Sequence, residues 1–382
     1  MTMKCIYTGT EFPQASGEHV LQNFLGARWT SNRIVCNEAQ ELFGRTIDAE
    51  LEKGLREFRA LLGTKGGRRD PGPTLKRVQG SKGTTFHLLP GGIPALAEPI
   101  VKDTVSADGT VTVDVKAADI RQLAWAVAQI KRKYPRAPLD IGALRNTLSP
   151  RTRYVDEKIH LRSGLGGTDF FRGALKSALN LLGVTENETA LSEHCDSVRN
   201  FVLHGIGHAR NHVRWLTNET AINLPRLGEF DQFLGIYTRD GAIEGYVQFF
   251  GEIAYLLRLS DNYHGPDFCH CYTVDPLRES VPAESRSDTL DISTIPSFVA
   301  GSEIPNDEVL PVYSERVNRL LTKQKDRAVK IELGRIIEEV LLPHEGEILT
   351  DELLNELTNR VAFVFLRHLP GTQDLFEQMQ EG

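Results

Sequence analysis

Apolar residues recur at Leu42, Phe43, Ile47, Leu51, Leu55 and Phe58, at spacings of three and four. That spacing draws one stripe along a helix predicted from about Glu38 to Leu62. Short β-like pieces precede it, from Met3 to Thr8 and from Asn32 to Cys36, with a turn around Gly17. Alternation in TTFHLL and GTVTVDV, the second after an Ala-Asp-Gly turn at 107–109, predicts strands over 84–118. Leu123, Ala126, Val127 and Ile130 mark one face of a helix over 119–134. Helices are also predicted over 169–183, 190–216, 311–342 and 350–368. The stretch 243–260, IEGYVQFFGEIAYLLRLS, is so apolar that periodicity fits paired strands and a buried helix equally.

Punctuation divides the chain. Residues 64–83, TKGGRRDPGPTLKRVQGSKG, are broken by glycines and prolines and read as a linker. Residues 279–310 are rich in Ser, Pro, Asp and Glu and read as a loop. The predicted order is a small unit over 1–63, the linker, an α+β body over 84–278, the loop, and a helical C-terminal segment over 311–382.

The 382 residues suffice for two or three domains with a sizeable core. The 40% hydrophobic and 25% charged fractions argue against disorder and against a fibrous rod. A net charge of −7 excludes a uniformly basic nucleic-acid binder but not a local basic face. The linker is such a place: Lys65, Arg68, Arg69, Lys76, Arg77 and Lys82 stand against Asp70 alone. Cations there can neutralise phosphates without reading base sequence. No apolar run is long enough for a transmembrane helix. The N-terminus lacks the apolar stretch of a signal peptide. Five cysteines are too few for a disulfide-stapled secreted fold. A cytoplasmic location, with no membrane partner, is the expectation.

The chemistry concentrates in Cys5-Ile-Tyr-Thr8, Glu18-His19, Asn32 and Cys36-Asn-Glu-Ala39-Gln40, with Phe43-Gly44 close behind. An acid beside a histidine, an amide near a β-like piece and a polar residue at a helix start suit phosphodiester hydrolysis. That reaction needs a hard divalent ion on the scissile phosphate and a base with a pKa near neutrality.

The order and spacing over residues 5–44 resemble the HNH endonucleases, in the branch whose core lies between two zinc-binding Cys-x-x-Cys knuckles. The resemblance implies an α+β chain opening on a ββα-metal core, with Mg²⁺ or Mn²⁺ as cofactor and DNA as substrate. By position, His19 matches the general base and Glu18 the metal-binding acid. Asn32 matches the central Asn, and Gln40 stands where a last metal-facing Asn or His belongs. Cys5 and Cys36 match the first cysteine of each knuckle, while Thr8 and Ala39 replace the second. Structural zinc takes four ligands, so none is expected here. Gln40 adds a methylene that a metal site tolerates poorly. Two readings follow: a metal-dependent endonuclease, or a non-catalytic descendant that binds nucleic acid or assembles with partners.

Two further groups stand apart. His204, His208 and His212 would stack on one face if helical, a spacing able to share a metal, although Gly205 and Gly207 interrupt it. Cys269-His270-Cys271 reads as a strand with the cysteines on one side and the histidine on the other. Gly164-Leu165-Gly166-Gly167 lacks the lysine of a phosphate loop, and no Gly-x-Ser-x-Gly element occurs. Neither an ATPase nor a serine hydrolase is therefore expected.

Overall fold

The computed structural model describes residues 2–66, 72–136, 155, 157–217, 222–278, 284–301 and 306–368. It is a mixed α and β protein with a helical C-terminus, in two compact units. The first joins 1–73 and 90–92 to 162–321, and the second joins 74–89 and 93–161 to 322–382. The expected division at residue 63 is therefore not where the units part.

In the first unit, two short hairpins pair β1 (Met3–Lys4) with β2 (Glu11–Phe12) and β3 (Glu18–His19) with β4 (Thr30–Ser31). The predicted single helix over 38–62 is two, α1 (Asn37–Arg45) and α2 (Ile47–Leu62). Thr46 leaves helical geometry (φ −121°, ψ −93°), and its hydroxyl donates to the Leu42 carbonyl at 2.7 Å. Leu42, on α1, lies off the buried stripe at 42% exposure.

In the second unit, β5 (Leu75–Gly80), β6 (Thr85–Leu89) and β7 (Ile93–Leu96) form a sheet. The hairpin β8 (Ile100–Val105) and β9 (Val111–Lys116) and the helix α3 (Ile120–Lys133) follow as predicted. β10 (Ile159–His160) completes the sheet in the order β10-β5-β6-β7. The predicted linker thus becomes a strand from Leu75, because Leu75 and Val78 pair with Leu88 and Phe86.

Back in the first unit, α4 (Thr168–Thr185) is buried along most of its length, including Lys176, Ser177 and Asn180 on its one polar face. The predicted helix over 190–216 is instead α5 (Asn187–Leu191), a 3₁₀ turn, α6 (Asp196–His204), a second 3₁₀ turn, and β11 (Val213–Trp215). Gly205 and Gly207, at φ 71° and 109°, end α6.

The ambiguous stretch at 243–260 is a pair of strands, β13 (Ala242–Phe249) and β14 (Ile253–Ser260). With β12 (Gln232–Arg239), β15 (Cys269–Val274) and β16 (Glu284–Ser287) they build an antiparallel sheet in the order β11-β14-β13-β12-β15-β16. The predicted loop at 279–310 thus contains β16, and α7 (Asn306–Leu341) begins inside it. In the second unit, Ile336 and Val340 of α7 pack with Val364 of α8 (Asp351–His368).

Glycines let α2 and α4 approach closely. A Cβ on Gly54 would lie 2.6 Å from the Phe170 ring and 2.8 Å from the Gly164 carbonyl, and one on Gly173 would lie 3.0 Å from the Ile47 carbonyl. Phe170 is fully enclosed and cannot swing aside. Gly54→Val should therefore cost about 1–3 kcal/mol by overpacking. A lower urea midpoint with unchanged m-value would register it.

Candidate functional site

The hairpin β3–β4 sets Glu18 opposite Ser31 and His19 opposite Thr30, and α1 follows, so the strand–strand–helix order is present. Ile6 N donates to the Ile34 carbonyl at 2.9 Å, which draws the 5–8 turn to the start of α1. There Cys5 and Cys36 are both buried thiols, and the Thr8 hydroxyl lies 3.9 Å from Cys36 Sγ. Burial raises the Cys5 pKa, but the Thr8 hydroxyl and backbone N–H groups facing the sulfur outweigh it, and the net direction is down. Burial pushes the Cys36 thiol up.

Strand alternation sends Glu18 inward, where it is 8% exposed, toward α4. Lys176, 2% exposed, meets it there. Its Nζ lies 2.6 Å from Glu18 Oε1 and 2.6 Å from Asp48 Oδ2. Asn180, one turn along α4, donates to Glu18 Oε1 at 3.3 Å and to the His19 carbonyl at 2.9 Å. Tyr7 OH donates to Asn180 Oδ1 at 2.8 Å. Gln22 donates to the other Asp48 oxygen at 3.1 Å and accepts from Ser177 at 2.9 Å. The Phe43 ring lies 5.3 Å from the ammonium.

Burial opposes the charge on Lys176, but Asp48 and Glu18 outweigh burial and hold the ammonium above the ordinary lysine range. Burial pushes the Glu18 carboxyl up, with Lys176 pulling against it. Burial, reinforced by the neighbouring Glu18 charge, holds Tyr7 far above the usual phenol range.

His19 is half-buried. Its Nδ1 is enclosed without a hydrogen-bond partner. Burial, then the Lys176 charge, lowers its pKa, against Glu284 and Asp48. The ring is therefore neutral at neutral pH, the form a general base needs.

The remaining predicted residues do not join it. Asn32 is exposed past the end of β4. Gln40 is spent on structure: its Nε2 donates to the Ser16 and Val35 carbonyls at 2.9 and 3.0 Å, and its Oε1 accepts from the Ser16 hydroxyl at 2.5 Å. Divalent-ion binding by Glu18 and Gln40 does not fit this arrangement, because Lys176 already holds Glu18 and Ser16 holds Gln40.

Of the basic residues, Lys65 is exposed in the first unit. Lys76, Arg77 and Lys82 are exposed on and beyond β5 in the second unit, and Arg77 pairs with Glu98 at 2.6 Å. Arg68 and Arg69 lie outside the described residues. The three histidines do not share a face. His204 ends α6 and His208 precedes the second 3₁₀ turn, both exposed, while His212 is buried beside β11. His270, on β15 as predicted, lies between Glu186 (2.9 Å) and Asp288 (2.8 Å). Among the described residues no three His, Cys, Asp or Glu side chains group in a way that could hold a metal ion.

The sequence matches no family model, no curated protein and no solved structure. Among the described residues no helix is long and apolar enough to cross a membrane.

Proposed function

We propose that this chain is a nucleic-acid-binding module on a ββα core derived from HNH endonucleases, one that no longer cleaves. The observation that carries the reading is the Lys176 ammonium 2.6 Å from both Glu18 and Asp48. An ammonium supplies positive charge there, but it has no open coordination position for a phosphate oxygen or an activated water. The neutral His19 is then a base without an electrophile to serve. DNA is the proposed partner, held through phosphates by the exposed Lys76, Arg77 and Lys82 of the second unit. Basic residues outnumber acidic ones over 74–161, although the whole chain is acidic. The cytoplasm is the proposed location.

The test pairs two measurements on the full chain. Supercoiled plasmid should stay intact with Mg²⁺ or Mn²⁺. A fluorescein-labelled duplex should bind with an affinity that falls with salt, and each Lys→Ala change at a phosphate contact should lower the log–log salt slope by about 1. Cleavage abolished by His19→Ala would restore the endonuclease reading. Absence of binding at low salt would remove the nucleic-acid reading.

A further inference from the structure

A cleft of about 450 Å³ opens in the first unit between the N-terminal turn of α6, the chain entering β11, and the end of β14 with its following loop. It is lined by His212, Ser197, Arg258, Glu193, Asp196 and Asp261, among others. Its size lies within the range of small-molecule sites.

His212 Nδ1 lies 3.1 Å from the Arg258 carbonyl. A carbonyl only accepts, so the proton sits on Nδ1 and Nε2 is left bare. Ser197 Oγ lies 3.4 Å from that Nε2. Burial lowers the His212 pKa and keeps the ring neutral, able to take a proton. The ring is also fixed in place. It stacks on Phe201 at 5.3 Å and 26°, and its backbone carbonyl accepts from Arg258 N at 2.8 Å. Ser197, by contrast, is exposed to the cleft, at the second position of α6, where the helix dipole favours negative charge on its oxygen. A nucleophile, a base within reach and a third group orienting the base form the signature of nucleophilic catalysis.

We propose that Ser197 and His212 form a catalytic dyad that hydrolyses small carboxylic esters lacking a negative charge. As Ser197 Oγ bonds to the carbonyl carbon, its proton moves to His212 Nε2. Collapse of the tetrahedral adduct breaks the ester C–O bond, and His212 returns the proton to the departing alcohol. Water, deprotonated by the same ring, then attacks the acyl-serine and frees the acid and Ser197. The net reaction is ester plus water to acid plus alcohol. Glu193, Asp196 and Asp261 at the rim disfavour anionic substrates, although Asp196 and Asp261 also pair with Arg199 and Arg258. The absence of a Gly-x-Ser-x-Gly element does not weigh against this dyad, because its serine sits in a helix rather than on a strand-to-helix elbow.

The experiment treats the full chain with a biotinylated fluorophosphonate and maps the adduct by mass spectrometry. The expected result is phosphonylation of Ser197, slowed about 100-fold or more in His212→Gln. Hydrolysis of p-nitrophenyl acetate should fall to the buffer rate in Ser197→Ala, which alters an exposed side chain and leaves the fold intact even if His212→Gln does not fold. An unlabelled Ser197 would overturn the proposal. So would unchanged ester hydrolysis in Ser197→Ala, or an unchanged labelling rate in a folded His212→Gln.

Discussion

Lys176→Ala should destabilise the first unit by about 3–5 kcal/mol, the usual effect of deleting one partner from a buried ionic cluster. Glu18 and Asp48 would be left facing each other without a counter-charge, with Glu18 enclosed by α4 and Asn180 still donating to it. Urea denaturation followed by fluorescence measures the loss. The triple change Lys176→Met, Glu18→Gln, Asp48→Asn should recover a large part, because apolar or neutral replacement of a whole cluster is far milder than breaking it. A second arm concerns ions. With the ammonium gone, the paired carboxylates become a place for a hard cation, so millimolar Ca²⁺ or Mn²⁺ should stabilise Lys176→Ala and leave the parent unchanged. At a hundredfold excess over Kd the gain is about 2.7 kcal/mol. A variant as stable as the parent, or equal stabilisation of both proteins, would show that the lysine does not stand in for a cation.

Glu244→Ala should cost a comparable amount, about 3–5 kcal/mol, and should also loosen the segment from 290 to 299. Glu244 on β13 is 2% exposed. It receives Arg258 at 2.9 Å and Arg239 at 3.3 Å, and it accepts from the Phe298 N–H at 3.1 Å. The two arginines in turn donate to carbonyls of that segment: Arg239 to Ile292 and Ile295, Arg258 to Phe298. One buried carboxylate thus pairs with two partly buried guanidinium groups, of which Arg258 also meets Asp261, and both bind an irregular stretch across the sheet. Ile295 and Phe298 are its apolar anchors, packed with Phe233, Tyr237 and Tyr246. Hydrogen exchange should speed up at 290–299 well before the strands respond. Uniform protection in the variant would refute the coupling.

The legible parts of this fold were those written in local pattern. The run from Ile120 to Lys133 carries its apolar face at helical spacing, and β8–β9 alternates on either side of an Asp-Gly turn, so both elements form where they were expected. At 243–260 burial on both faces removed the pattern, and only pairing on a six-stranded sheet resolves it. At 46 the chain leaves helical geometry although the apolar stripe runs on from Phe43 to Ile47 and Leu51, so the stripe alone did not reveal the break.

The candidate site was half visible for the same reason. Glu18 and His19 stand out as neighbours, whereas Lys176, Ser177 and Asn180 look like the solvent side of a helix until β3, its flanking residues and α2 cover it. A lysine and an asparagine four apart inside an otherwise apolar run were the available signal. Nothing local says that they face carboxylates more than a hundred residues earlier.

The split ownership of the Lys176 cluster bears on modularity. Its acids come from the opening segment and its ammonium from α4, so the opening segment alone lacks its counter-charge. A transplant of the first 63 residues into another scaffold would carry two inward-facing acids with no balancing base. Within this protein the opening hairpins can be inherited or exchanged only together with the helix that completes them.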